Sequence, residues 1–210
     1  MSTMNQGVHS IIPLALLEAM RNLDTPIDDG LAELDAELMT KRLGLSTTVA
    51  LQIERYRQSA EKGVPVPLDE AVSVFRLVSR RVDAELVFSD AGRRAARYAA
   101  RRTSGLRRGV MRMSPRGIRR RLGVGASARC AADVFGADMR AVGLLAEVRL
   151  ADSLATRAGT NGPGCYFYGA AFAELLRVLG GFEGAMLHEH CRSRGDATCT
   201  WRATTVETYE

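Results

Sequence analysis

Long apolar runs are missing from this sequence. No stretch approaches 18 uncharged apolar residues, so it offers no transmembrane helix. The run from Ile11 to Leu17 is short, stops at Glu18 and follows a polar start without Lys or Arg, which is not the build of a signal peptide. It reads as the start of a core helix in a cytoplasmic protein. Catalytic signatures are missing as well. There is no P-loop, no Gly-x-Ser-x-Gly elbow and no His-Glu-x-x-His pair, and no two carboxylates stand out as a general acid and base. A loose Gly-x-Gly-x-x-Ala at Gly123–Ala128 follows Arg119–Leu122 rather than an apolar strand. It therefore reads as a loop entering a strand and not as a dinucleotide cradle. Cysteine is sparse, with Cys130, Cys165, Cys191 and Cys199. In a reducing compartment such a set points to metal ligands more than to disulfides, and Cys130 stands apart as a buried thiol.

What is present suits one globular domain. The 210 residues are 46% hydrophobic and 25% charged, enough to bury a core without staples. The net charge of +5 hides an asymmetry: residues 93–121 hold twelve arginines and no Asp, Glu or Lys, so the rest of the chain sums to −7.

Helical signals dominate the first half. Ser10 and Pro13 open a helix over 10–22. Leu31, Leu34, Leu38 and Leu43 recur at about helical spacing up to Gly44. Ser46-Thr47-Thr48 caps a helix over Val49–Glu61, and Gly63-Val64-Pro65-Val66-Pro67 breaks the chain. Asp69 starts the next helix, and Ser89-Asp90 caps one over Ala91–Arg102. The pattern then changes. Ala126–Phe135 and Leu144–Leu150 read as strands, and Ala158–Gly164 is a glycine loop. Tyr168–Leu179 is an amphipathic helix. Ala185–Cys191 and Ala197–Thr205 are strands joined by a turn at Arg192–Asp196. Helices first and strands later predict an α+β fold with an antiparallel sheet. The division is 1–88 as a helical part, 89–125 as an Arg-rich helix and connector, and 126–210 as an α/β part, together one compact unit.

The densest chemistry lies in that last part. A hairpin turning at Gly195-Asp196 brings Cys191 and Cys199 together, and Cys165 follows the glycine loop. Tetrahedral zinc takes Cys₃His as a common structural set. Cys165, His188, Cys191 and Cys199 would make a closed, structural site tying the loop to the hairpin. His188 and His190 share a face of a strand, so both stay open as the fourth ligand.

The string Gly162-Pro-Gly-Cys165-Tyr-Phe-Tyr-Gly169, then Gly180-Gly181, His188-x-x-Cys191 and Gly195-Asp196-x-x-Cys199-x-Trp201, resembles the 4-vinyl reductase domain family over about residues 140–205. The resemblance implies helices packed on one side of an antiparallel sheet, a fold related to vesicle-tethering complex subunits and to aromatic-responsive sensor domains. In those sensors zinc is held by three cysteines at positions matched by Cys165, Cys191 and Cys199, and by an acid where this chain has His188. The resemblance also implies a ligand pocket near the zinc-stabilised loop, with Tyr166, Tyr168 and Phe172 close to it. A homodimer is implied too.

Arg97 and Arg101, in the basic stretch 93–121, are candidates to hold carboxylates of a ligand or an anionic partner. Nucleic acid is the weakest of these partners, because no helix-turn-helix or finger pattern accompanies the arginines. Three functions follow as expectations. The first is binding of a magnesium tetrapyrrole intermediate in bacteriochlorophyll biosynthesis, as a vinyl-reduction component or a substrate carrier. The second is a stand-alone sensor for aromatic or lipid-like compounds acting through a protein partner. The third is an interaction module like the tethering subunits. Vinyl reduction needs a hydride or electron donor, and no nicotinamide or flavin motif is visible.

Overall fold

In the computed structural model, which describes residues 7–25, 43–102, 116–143, 145–160 and 162–205, the expected first helix is α1 (Ile11–Asp24). Ile11, Ile12, Leu14, Leu16, Leu17 and Met20 are all buried, so α1 is apolar on nearly every side and runs through the core. Its N-terminus is not held by the Ser10 side chain. The His9 Nδ1 accepts from the Ile11 N–H instead, at 3.2 Å. Helix α2 (Thr47–Lys62) starts where Ser46 Oγ accepts from the Val49 N–H and ends at Gly63 with φ 68°. The Gly-Val-Pro break then forms β2 (Val66–Pro67), which pairs with β1 (Gly7–Val8). Helix α3 (Leu68–Ser79) follows, with Asp69 and Glu70 in its first turn favouring the positive end of its dipole. The expected Leu31–Leu43 helix lies outside the described residues except for Leu43, which begins a 3₁₀ turn.

Two expectations need correction here. Helix α4 (Ala84–Arg102) begins well before Ser89-Asp90. Asp90 is an interior residue whose carboxylate pairs with Arg94 one turn on, at 2.7 Å. Residues 126–135 are not a strand: they belong to helix α5 (Arg116–Phe135). Ala126, Ala131, Val134 and Phe135 are buried there at helical intervals, and the alanines between them favour helix over strand. The Gly123–Ala128 motif is therefore neither a loop nor a cradle but helix interior. The strand before Leu145 is β3 (Asp138–Val142), which begins just after α5. It escaped the pattern because only Met139 on it is buried.

The rest of the C-terminal part is β4 (Leu145–Leu150), a short helix α6 (Leu154–Ala158), helix α7 (Pro163–Gly180), β5 (Ala185–His190) and β6 (Cys199–Thr204). The four long strands form one antiparallel sheet in the order β3-β4-β6-β5. The fold is α+β, as expected. One sheet face carries Val148 and Trp201 into the core. The other carries Glu147, which accepts Arg149 at 2.7 Å and Arg202 at 3.5 Å.

Helix α7 is the hub. Phe167, Tyr168 and Phe172 on it meet Phe75 of α3, Phe135 of α5 and Trp201 of β6, with ring centroids 5.4–6.4 Å apart. Two flanking helices approach its backbone through glycines. A Cβ on Gly92 of α4 would lie 2.1 Å from the Phe167 carbonyl oxygen, and one on Gly123 of α5 would lie 2.2 Å from the Gly180 Cα. Neither neighbour is a side chain that can swing away, so no larger residue fits without moving a helix. Glu174 of α7 is buried yet charged. It accepts Arg97 of α4 at Oε1 and Arg177 at Oε2, both at 2.7 Å, which pulls its carboxyl below the ordinary range through the Arg177 and Arg97 hydrogen bonds.

Substitution of Gly92 by Ala should cost about 2 kcal/mol, the usual penalty for overpacking a filled interface. A urea titration followed by circular dichroism would measure it, and an unchanged midpoint would show that α4 and α7 do not approach this closely.

Candidate metal centre

Cys165 is the third residue of α7. The glycine loop ends earlier than its composition suggests, because Pro163 and Gly164 already form the first helical turn. Gly162 precedes it with φ 122°, a conformation open to glycine and strained for side-chain-bearing residues. Its carbonyl accepts the Cys165 N–H at 2.8 Å. Gly164 is fixed as well: a Cβ there would lie 2.5 Å from Thr160 Oγ1. Cys165 is thus held at a helix N-terminus, whose dipole favours a thiolate.

The other three ligand candidates come from the β5–β6 hairpin. His188 of β5 stands opposite Trp201 of β6, and the two rings stack with centroids 4.5 Å apart and planes 8° apart. Cys191 follows β5, and Cys199 opens β6 opposite Leu150 of β4. The connection is a 3₁₀ turn over Arg192–Arg194. Asp196 clamps it: Oδ2 accepts the Cys191 N–H at 2.6 Å, and this bond holds the Asp196 carboxyl below its usual range. The Arg192 N–H donates to Cys199 Sγ at 3.4 Å. Amide donation of this kind supports a thiolate sulfur.

These side chains converge. One ligand atom from each of Cys165, His188, Cys191 and Cys199 lies within 4.8 Å of all the others. The Cys165 and Cys191 sulfurs are 3.8 Å apart, and the cysteines are unbridged. Zinc at about 2.3 Å from each sulfur in a tetrahedron sets neighbouring sulfurs about 3.8 Å apart, so the spacing fits an ion. The donor set fits too. His188 Nε2 is buried with no hydrogen-bond partner among the described residues. Such a nitrogen has lost water without compensation. Even among the side chains alone the cluster stabilises one negative charge: the Cys165 thiol, and after it the neighbouring His188 imidazole and the Arg192 amide, draw the Cys199 thiol well below its usual range. The same interaction with Cys199, together with burial, pushes the Cys165 thiol up.

His190 does not join this group. The sheet register is irregular between His188 and His190: His188 pairs with Trp201, but His190 pairs with Thr200. The bulge breaks the alternation that would have placed both rings on one face. The His190 side chain is 61% exposed and its Nδ1 lies 3.6 Å from Asp196 Oδ1.

A cleft of about 530 Å³ opens beside the centre. Cys165, His188 and Cys191 reach its wall, and Tyr166, Met186 and Leu187 supply apolar surface. Glu85 and Ser89 of α4 also line it. Of the ligand residues expected by resemblance, Tyr166 is at this cleft. Tyr168 is in the core, where its hydroxyl accepts the Leu154 N–H at 3.0 Å and burial pushes its ionisation upward. It borders a separate cleft of about 320 Å³ near His9. Phe172 is fully buried. Arg97 and Arg101 line neither cleft: Arg97 is paired with Glu174, and the Arg101 guanidinium lies 5.9 Å from the Tyr98 ring centre. Arg102 reaches His9 and the Ala60 carbonyl. Much of the basic stretch on α4 thus serves the chain's own contacts. Arg107, Arg108 and Arg112 lie outside the described residues.

Sequence reasoning missed Asp196 as a clamp and Glu85 and Ser89 as cleft residues. Asp196 had a signal, since an Asp beside a turn glycine readily accepts local amides. The two α4 residues had none, being about eighty positions from Cys165.

Among the described residues no helix is long and apolar enough to cross a membrane. Comparison with known protein families, with curated proteins and with solved structures finds no match.

The purified chain should carry about one zinc per molecule by elemental analysis, in keeping with a closed Cys₃His set. Cys199→Ser and His188→Ala should each bring the content close to zero, whereas His190→Ala should leave it unchanged. Loss of zinc in His190→Ala with retention in His188→Ala would reverse the assignment.

Proposed function

We propose that this chain is a zinc-stabilised binding domain for a flat, largely apolar small molecule. The observation that carries the reading is the adjacency of the Cys165/His188/Cys191/Cys199 group and the cleft of about 530 Å³. That volume lies within the range of small-molecule sites, and such sites are mainly apolar with a few placed polar groups. Zinc bound there would act as a structural Lewis-acid anchor for α7 and the hairpin. Cys165 would fix the helix start, Cys191 and Cys199 would fix the turn, and His188 would fix β5. Together they hold one wall of the cleft.

The motif resemblance to the 4-vinyl reductase domain gives the ligand its proposed identity, a magnesium tetrapyrrole intermediate of bacteriochlorophyll biosynthesis. We favour carriage or presentation of that substrate over reduction by this chain alone. The Gly123–Ala128 motif is helix interior, with Gly123 against Gly180 at the α5–α7 crossing, and not the loop before a helix N-terminus that holds a pyrophosphate. The second reading, a sensor for smaller aromatic compounds that signals through a protein partner, is supported by the same cleft. A homodimer remains part of both readings.

Titration of the zinc-loaded protein with magnesium protoporphyrin separates the two. The first reading predicts a saturable shift of the Soret band that is lost when Cys191→Ser removes the metal. A Soret band indistinguishable from free pigment, together with saturable binding of a monocyclic aromatic, would move the assignment to the sensor reading. No saturable binding of either compound would contradict both.

A further inference from the structure

The cleft has a second buried polar atom without a partner. Trp201 is 1% exposed, and its indole Nε1 has no hydrogen-bond partner among the described residues. Buried tryptophans normally find an acceptor for this donor. The reason this one does not is local. The nearest stretch of α7 presents Gly169, and a Cβ built there would lie 3.4 Å from Trp201 Nε1 and 3.5 Å from Cδ1. Gly169 and Trp201 both line the cleft. The missing side chain therefore leaves a narrow gap, closed to water, between the indole N–H and α7 where both border the cleft. The Trp201 ring itself cannot turn away to find a partner: it stacks on His188, meets Phe172 edge to face at 5.4 Å and packs against the tilted Tyr168 ring at 6.0 Å.

We infer that the Trp201 indole N–H is the recognition donor of the cleft and selects ligands that present an uncharged or anionic acceptor oxygen on a flat apolar body. The inference rests on the reading of this cleft as a small-molecule site, and adds to it which group of the ligand is read and by which atom. The body of the ligand lies against Tyr166, Met186 and Leu187, and the acceptor enters the gap above Gly169. A hydrogen bond formed there replaces none inside the protein, so its whole benefit goes to ligands that carry the oxygen. Trp201 is also in ring contact with His188, so an occupant of the gap sits one stacked ring from the metal group.

Trp201 is the chain's single tryptophan, so its indole N–H gives one isolated signal in a ¹⁵N-correlated proton spectrum. The test uses the zinc-loaded full chain and two probes of almost equal shape, acetophenone and ethylbenzene, of which the first alone has an acceptor oxygen. Acetophenone should shift the indole proton downfield and bind about five- to tenfold more tightly, the ratio for one ordinary hydrogen bond. Ethylbenzene should move the backbone amides of Tyr166 and Gly169 while leaving the indole proton nearly in place. Gly169→Ala should erase the preference while keeping zinc and fold, since Ala is favoured in a helix interior and its methyl makes only van der Waals contact with the indole. Equal binding of both probes at the cleft amides, with a stationary indole proton, would overturn the role of Trp201 and leave the cleft reading intact. No movement of the cleft amides with either probe would overturn both.

Discussion

Trp201 pairs with His188 across two antiparallel strands, and much of the site geometry follows from that one register. Residues directly opposite each other on antiparallel strands share a face, so once Trp201 turns inward to Phe172 and Tyr168, His188 must lie beside it. The stack of the two rings fixes the imidazole plane before any ion is considered. A one-residue slip would turn the whole of β6 over, taking Trp201 and Ala203 out of the core. It would also move Cys199 off the amide of Arg192. The irregularity one residue later releases His190 from the alternation. The hairpin thus carries one inward histidine and one exposed one although their spacing alone would treat them alike.

The second half of the group depends on how closely helices can pack. Cys165 reaches the hairpin only because α7 is held at a particular height against α4 and α5. That height is set where Gly92 and Gly123 allow backbone contact. The ion pair of Glu174 with Arg97 joins α7 to α4, and Arg177 of α7 itself takes the other carboxylate oxygen. A charged group this deeply buried is stable only when paired. The arginines that most resemble an anion-binding patch in the sequence are therefore partly structural. A cluster of like charge on a helix need not await an external partner when a buried acid lies across the interface.

The sequence was most readable where chemistry and local geometry coincide. Cys191 and Cys199 flank a Gly-Asp turn, so their approach follows from the hairpin, and Cys165 follows a loop whose glycines announce a reversal. Helices α1 to α3 were legible from apolar spacing and chain breaks, and α2 also from its Ser46 cap. The failures have physical causes. Residues 126–135 are rich in alanine and have only Val134 and Phe135 as large apolar residues, too few to mark a helical face in the sequence, although alanine itself favours helix. The choice between His188 and His190 depends on a bulge, which has no residue signature here. Glu85 and Ser89 join the cleft through helix packing across a long sequence separation, which no local pattern encodes.

The central claim is that Cys165, His188, Cys191 and Cys199 hold one metal ion. X-ray absorption at the zinc edge of the purified full chain tests it most directly. The account predicts a shell of three sulfurs at about 2.3 Å and one nitrogen at about 2.0 Å. A shell of oxygen and nitrogen only, or protein that folds and contains no zinc after preparation with excess zinc, would contradict it.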